Sequence, residues 1–236
     1  QIIIDNLSSD KSIDIIKNIY YELKINDKLK LISEKDNGIA EAFNKGIKAS
    51  TGDLITILNS DDYFLSNELF AKVIEIFSDE NILFTHGNIL FIDEKYGTNI
   101  RKPLLCKITK AFPYNHPGMF VRKKVYDDYG LFDESFKYAM DYEFFCRLYK
   151  NISNFSDKGY YIQGEPIAVM KAGGVSWQKE LDSIYEVKLA LQKHQLWNFD
   201  ARKNFIYRWI RIKTKIFLTK IKLNKIVHLW RNWKWK

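Results

Sequence analysis

Ser33 to Phe64, SEKDNGIAEAFNKGIKASTGDLITILNSDDYF, constrains this chain more than any other stretch. Ile39, Phe43 and Ile47 recur at helical spacing, with Ala42 and Gly46 beside them, which predicts an amphipathic helix. Thr51-Gly52 is expected to close it, because glycine tolerates the left-handed backbone of a helix terminus. The short run Leu54 to Leu58, with two isoleucines, predicts a strand buried on both faces. Asn59-Ser60-Asp61-Asp62 follows at once. In an open α/β sheet, ligands sit outside the carboxyl ends of the strands. Two adjacent carboxylates delivered there suit a hard cation and, through it, a diphosphate.

A chain of 236 residues holds one sizeable α/β domain with an appendage. The net charge of +8 is not evenly spread. Residues 201–236 hold 12 Lys/Arg and no Asp/Glu, which leaves the first 200 residues with 25 against 29. A mildly acidic domain therefore carries a strongly basic tail. Cys106 and Cys146 have neither metal-ligand nor redox spacing and read as structural thiols in a reducing compartment. No uncharged apolar run is long enough to span a bilayer.

The pattern D-N-G-I-x-x-A-x-N-x-G-I-x-x-x-x-G-D-x-I over residues 36–55, closed by N-S-D-D, resembles the inverting glycosyltransferases of family 2. The likeness runs from Gln1 to about Ser176. It implies the GT-A fold: an α/β domain whose mixed, mostly parallel sheet is flanked by helices, over residues 1–176. Residues 177–236 form a C-terminal helical extension with a basic amphipathic tail. Gln1 to Ile4 then corresponds to the family's second strand. The nucleotide-binding strand that precedes it in the family has no counterpart here. The expectation is that the protein extends upstream by about thirty to forty residues, the length of a strand, a loop and a helix; a divergent domain that manages without that strand is the alternative.

Further along, Ser12–Leu23 reads as a helix and Leu29–Ile32 as a strand. A helix capped by Ser66 runs to about Phe77. Ile82–Thr85, Ile89–Ile92 and Met119–Val121 read as strands, and residues 94–113 as loop and short strand. Arg122–Tyr129 is a helix ended by Gly130. Asp141 opens a second helix, to about Tyr149. Tyr160–Met170 is extended. Ala172-Gly173-Gly174-Val175-Ser176 forms a hinge before a helix from about Lys179 to His194.

Each candidate site residue has a local alternative. Asp61 and Asp62 suit an ordinary turn after a strand. Asp61, however, falls where the resemblance places the last aspartate of the family's D-x-D motif, and it becomes the primary ligand for Mg²⁺ or Mn²⁺, with Asp62 beside it. Asn59 replaces the motif's first aspartate and suits a ribose hydroxyl, leaving one charge fewer. Asp36 suits a helix cap and Asn44 a solvent face; the resemblance sets both against the nucleotide donor, and sets Asp5 at the uracil. Asp141 suits a helix cap and, by the resemblance, the catalytic base, with Glu143 as its understudy. A helix start would hold that carboxylate ionised. His116 is either a packed loop histidine or a residue on the acceptor side of the cleft, where it contacts substrate or adds a metal ligand.

In the tail, Phe205, Trp209, Ile212, Ile216, Leu223, Val227 and Trp230 fall on one stripe, with Arg208, Arg211, Lys215, Lys222 and Lys225 largely opposite. This composition fits a helix lying on an anionic membrane surface through residues 201–236. Docking onto the domain or a second copy is the alternative; nucleic acid ranks below both, since tryptophan-rich stripes suit a bilayer surface better than a phosphate backbone. The resemblance implies a metal-dependent inverting transfer of a hexosyl group from a nucleotide-sugar, a UDP-sugar by expectation. The acceptor would be a hydroxyl of a glycan or lipid-linked acceptor in bacterial surface polysaccharide synthesis, with the enzyme cytoplasmic and peripheral at the inner face of the membrane. The other class kept open is a catalytically silent GT-A binding module recruited by its tail, to which Asn59 and the missing first strand lean. A nucleotidyltransferase would need a basic glycine-rich phosphate loop, which is not visible.

Overall fold

The computed structural model describes residues 1–94, 97–104, 106–174 and 179–223. The chain opens with a β-α-β unit. β1 (Ile2–Asp5), α1 (Ser12–Glu22) and β2 (Lys30–Ser33) give a parallel pair in the register Ile2 to Lys30 through Asp5 to Ser33. α2 (Ile39–Ala49) then leads to β3 (Leu54–Thr56), β4 (Tyr63–Phe64) and α3 (Glu68–Ile76). β5 (Phe84–Gly87), β6 (Ile89–Asp93) and β7 (Gly97–Arg101) follow, then a 3-10 turn at His116–Gly118, β8 (Phe120–Arg122) and α4 (Lys123–Tyr129). α5 (Met140–Asn151), β9 (Gly159–Ile162), β10 (Ala168–Lys171), α6 (Glu180–Lys193) and α7 (Phe199–Lys220) complete the described elements.

Two four-stranded sheets, ordered β3-β8-β5-β9 and β4-β10-β6-β7, accompany the β1-β2 pair. The mixed α/β architecture is the expected one. Its balance differs, with three parallel and four antiparallel pairings among the described residues. β1 pairs only with β2, and β3 only with β8, among the described residues. Tyr160–Met170, read as one extended run, is two strands in different sheets, β9 beside β5 and β10 beside β6. At the first of these pairs Gly159 faces Phe84, and a Cβ there would lie 2.3 Å from the ring. Only glycine lets the two strands approach so closely.

The main core lies between β3-β8-β5 and α5, and α6 closes it. Phe84 and Val121 from the sheet, Phe144, Phe145 and Leu148 from α5, and Val187, Ala190 and Leu191 from α6 are all buried in one cluster. Phe144, Phe145 and Leu148 anchor α5 in this core, and truncating Phe145 to alanine would cost about 3–5 kcal/mol. Ala201 of α7 joins this core as well; the expected boundary at 176/177 itself lies outside the described residues, as do Val175 and Ser176 of the expected hinge. A second cluster sets Leu69, Val73 and Phe77 against Phe120 and Ile162.

Several local expectations are corrected. α2 stops at Ala49, and extended Ser50 closes it by donating its hydroxyl to the Ile47 carbonyl at 2.7 Å; Gly52 has no positive φ. The buried face of α2 is Ala40, Asn44 and Ile47, so the helix is rotated and Ile39 is exposed. β3 is three residues long with only Ile55 buried, because it lies at a sheet edge rather than between two layers. Asp141 does not cap α5: it is the second residue of the helix, after Met140, and Ala139 occupies the cap position with no side-chain bond.

Candidate active site

Asp5 and Asp36 meet at the carboxyl ends of the parallel pair β1-β2. The buried Asp5 carboxylate accepts from the Ser33 hydroxyl at 2.6 Å and from the Ser8 backbone N–H at 3.1 Å. These hydrogen bonds, Ser33 first, hold its carboxyl below the usual carboxylate range. The Asp36 N–H donates to Asn6 Oδ1 at 2.9 Å, and Asp36 Oδ1 accepts from the Gly38 N–H at 3.1 Å. Asp36 therefore shapes the loop before α2; Gly38 is the cap residue.

Asn44 is buried, and its amide is fully engaged. Nδ2 donates to the Phe132 carbonyl at 2.9 Å and to Glu134 Oε1 at 2.8 Å, while Oδ1 accepts the Phe132 N–H at 3.0 Å. All three bonds reach the Leu131–Glu134 turn. Asn44 thus locks α2 to that turn, and so fixes the ring of Phe132.

That ring helps to line a small cavity of about 20 Å³, with Ile55, His116, Tyr126, Phe145 and Asp141 among its other walls. The volume is that of about one water. His116 is held by stacking on Phe43, with centroids 5.7 Å apart and planes 10° apart. Desolvation at this wall raises the Asp141 carboxyl above its ordinary value, against the opposing influence of His116 and the Tyr142 N–H, which donates to Oδ1 at 2.7 Å. Burial thus works against the ionised state expected of a carboxylate at a helix start, and it outweighs the contacts that favour that state.

The same imidazole lies within electrostatic reach of the acidic turn after β3. Asp62 Oδ2 accepts from Asn59 Nδ2 at 3.0 Å, and the Asp62 N–H donates to the Asn59 carbonyl at 3.1 Å. Burial holds the Asp62 carboxyl above its usual value, with Asp61 adding to the rise and Asn59 and His116 opposing it. Asp61 is exposed, and its carboxylate has no hydrogen-bond or ion-pair partner among the described residues. The structure brings Asn59, Asp61, Asp62, His116 and Asp141 into one electrostatic neighbourhood, with Asp5 and Asp36 grouped at the end of β1-β2.

No group of three His, Cys, Asp or Glu side chains forms a closed metal centre among the described residues. The acidic turn does fit a cation that keeps waters and binds through one or two carboxylates plus substrate phosphates, as Mg²⁺ does. Asp61 offers free oxygens for this, and Asp62 offers a half-buried carboxylate beside them.

Glu143 is placed elsewhere. It is fully buried and engaged by Arg147 at 2.8 Å, Lys193 at 2.9 Å and His194 at 2.7 Å. Burial opposes its ionisation, but Lys193, His194 and Arg147 outweigh it and lower the pKa. Arg147 also straps the positive-φ turn at Gly130, donating to the carbonyls of Tyr129 and Leu131 at 2.8 Å each.

Glu186 was not visible as a site residue in the sequence. From α6 its carboxylate accepts three consecutive backbone N–H groups: Lys137 at 2.9 Å, Tyr138 at 2.7 Å and Ala139 at 2.8 Å. These are the residues that deliver Asp141. The only sequence signal was a lone glutamate on the polar side of an amphipathic helix, which spacing alone cannot link to a loop 47 residues earlier.

A mixed sheet with an acidic turn at one strand end, and a desolvated carboxylate on the helix facing it, belongs to the GT-A architecture. The comparisons agree in both fold and family. Residues 1–145 match Glycosyl transferase family 2, and the chain belongs to that family. An uncharacterized glycosyltransferase of Haemophilus influenzae is 41% identical over 93 residues, covering 39% of this chain and 36% of its own. The Bacillus subtilis glycosyltransferase YwdF is 29% identical over 163 residues, covering 64% of this chain and 58% of its own. The chain thus spans less than two thirds of the length of these relatives. Among solved structures, Staphylococcus aureus TarS 1–349 in complex with UDP superposes with a TM-score of 0.61 at 18% identity, over 89% of this chain and 60% of that one. The mannosyltransferase PcManGT from Pyrobaculum calidifontis, in complex with GDP-Man and Mn²⁺, gives 0.55 at 13%, over 98% and 72%. At these identities the structural likeness shows the fold.

Proposed function

We propose that this chain transfers a sugar from a nucleotide-sugar, a UDP-sugar, to a hydroxyl of a glycan or lipid-linked acceptor, with inversion at the anomeric carbon. The observation that carries the proposal is Asp141. It is a carboxylate on a rigid helix start, at the wall of a cavity, with its basicity raised by desolvation. A general base needs its geometry fixed first and its pKa brought toward the working pH second, and Asp141 has both. In a single displacement Asp141 takes the proton of the acceptor hydroxyl as the new C–O bond forms and the bond to the diphosphate breaks. His116 sits beside Asp141 and opposes the rise that desolvation imposes on the carboxyl. Asn59, Asp61 and Asp62 face the diphosphate side, and Asp5 and Asp36 the base and ribose. Mg²⁺ or Mn²⁺, held through Asp61 with Asp62 beside it, would neutralise charge on the departing diphosphate.

The relatives support this direction. TarS is a poly(ribitol-phosphate) β-N-acetylglucosaminyltransferase, 27% identical over 175 residues, and it is known in complex with UDP-GlcNAc. A polymer of the bacterial surface is accordingly the acceptor class we favour.

The test is UDP release from a panel of UDP-sugars by the purified chain, with Mn²⁺ and with EDTA. Metal-dependent release from at least one sugar is the expected result. UDP binding with no release from any of them, even with surface glycans supplied, would favour a silent module.

A further inference from the structure

The C-terminal helix α7 has two apolar faces. The stripe expected to lie on a membrane instead docks on the domain. Phe205 packs edge-on against Tyr185 and Trp197, Trp209 donates its indole N–H to the Tyr185 hydroxyl at 3.3 Å, and Ile212 is buried. Two basic residues expected to face outward lie on this docked side: Lys215 bonds Glu180 at 2.7 Å, and desolvation lowers the pKa of Arg208, which feels Tyr142. Ile216 and Leu223 are exposed, and Val227 and Trp230 lie outside the described residues, as does Lys225.

The opposite face carries a second stripe. Phe199, Ile206, Ile210, Phe217 and Ile221 follow one another at 7, 4, 7 and 4 positions, and all are exposed, Phe199 by 79% and Phe217 by 60%. We propose that this outer face of α7 is a docking surface for an anionic lipid bilayer.

Two properties select a bilayer over a partner helix. The first is the period. An 11-residue repeat gives about 3.67 residues per turn, close to the 3.6 of a straight helix, so the stripe runs along the axis and suits a plane; two helices wound left-handed need a 7-residue repeat. The second is charge. Arg202, Lys213 and Lys220 line one edge of the stripe and Lys203 sits within it, all exposed, and Asp/Glu are absent from residue 201 onward. Lysine and arginine can lay their stems on an apolar surface while their charges reach lipid phosphates. No described helix is long and apolar enough to cross a membrane, so the geometry is one of lying on the surface. Because Arg208 on the docked face of α7 lies within electrostatic reach of Tyr142, next to Asp141, a helix held on lipid brings the helix that carries Asp141 toward that surface. That placement suits a lipid-linked acceptor, and this last point alone rests on the proposed transfer.

The experiment is vesicle sedimentation of the full chain, without nucleotide, so that it does not depend on the transfer reaction. Wild type is expected to sediment with vesicles containing phosphatidylglycerol, far less with phosphatidylcholine alone, and to be released by 0.5 M NaCl, a concentration of order tenths molar that screens surface charge. The variant Ile206→Ser/Ile210→Ser/Phe217→Ser should lose at least about tenfold in partitioning while keeping its thermal melt, since it alters only exposed side chains. Equal sedimentation of variant and wild type overturns the proposal. So does a melt lowered by several degrees, which would place this face inside the fold. A wild-type dimer that the variant converts to a monomer assigns the surface to a second copy and overturns it as well.

Discussion

Glu186 on α6 and Ala139, the residue that caps α5, are joined by a hydrogen bond of 2.8 Å from the backbone N–H to Oε2. With the Lys137 and Tyr138 N–H groups on the same carboxylate, the bond fixes the approach to Asp141 from outside the family segment of residues 1–145. Misplacing a catalytic group by about 1 Å can cost about 10²-fold. Glu186→Gln keeps the size but loses one acceptor, and should lower kcat by about 10- to 100-fold with UDP affinity unchanged. The groups that influence Asp141 are His116, the Tyr142 N–H and Glu186. Removing the like charge of Glu186 should therefore move the acid limb of the pH–rate profile downward. A variant that only melts earlier, with kcat and pH profile unchanged, would reduce Glu186 to a stabilising contact.

Asp61 supplies the unengaged carboxylate of the acidic turn. Asp61→Ala should abolish the metal-dependent part of UDP affinity and leave the metal-independent part. Calorimetry with and without Mn²⁺ measures this. Equal UDP binding by the wild type in both conditions would contradict the assignment.

The placement of Asn59 to Asp62, and that of Asp141, was legible in the sequence because each lies within one short segment. Asn59 to Asp62 must share a turn, and Asp141 must share a helix with Phe144 and Phe145. Asn44 was legible as part of a motif but not in its role, because its partner Phe132 is 88 residues away and the amide proves to be a bridge inside the fold. Glu143 and Asp141 are two residues apart and look interchangeable on paper. The helix turns about 200° between them, which sends one to the cavity and the other to Lys193 and His194. The tail showed that it was amphipathic, but with apolar residues on two faces its composition could not say which one docks.

The Glu143 cluster gives a pH prediction. Glu143 is held below its ordinary value, and Asp133, whose burial is outweighed by Lys193 and Ser135, is lowered to about 2. Depressed carboxylates stabilise the fold above their unfolded pKa and lose that contribution as pH falls through the folded value. The melting temperature should drop steeply from about pH 4 toward pH 2. Glu143→Gln should lose about 2–4 kcal/mol at neutral pH, below the full value for a buried pair because Lys193 is partly exposed, and should show a flatter acid profile. An unchanged acid profile in this variant would contradict the role given to the cluster.

Asp141 carries the opposite sign. Its pKa is raised, so its ionisation costs stability as pH climbs through the folded value, and Asp141→Asn should be at least as stable as the wild type at neutral pH. A loss of activity in that variant would therefore not be a loss of fold. The decisive measurement is the kcat of Asp141→Asn on the UDP-sugar that the wild type uses, at saturating donor and with UDP affinity measured alongside. The expected result is a fall of about 10²-fold or more with UDP affinity preserved, the range for a lost general base. Near-normal turnover in Asp141→Asn would contradict the assignment of Asp141 as the base.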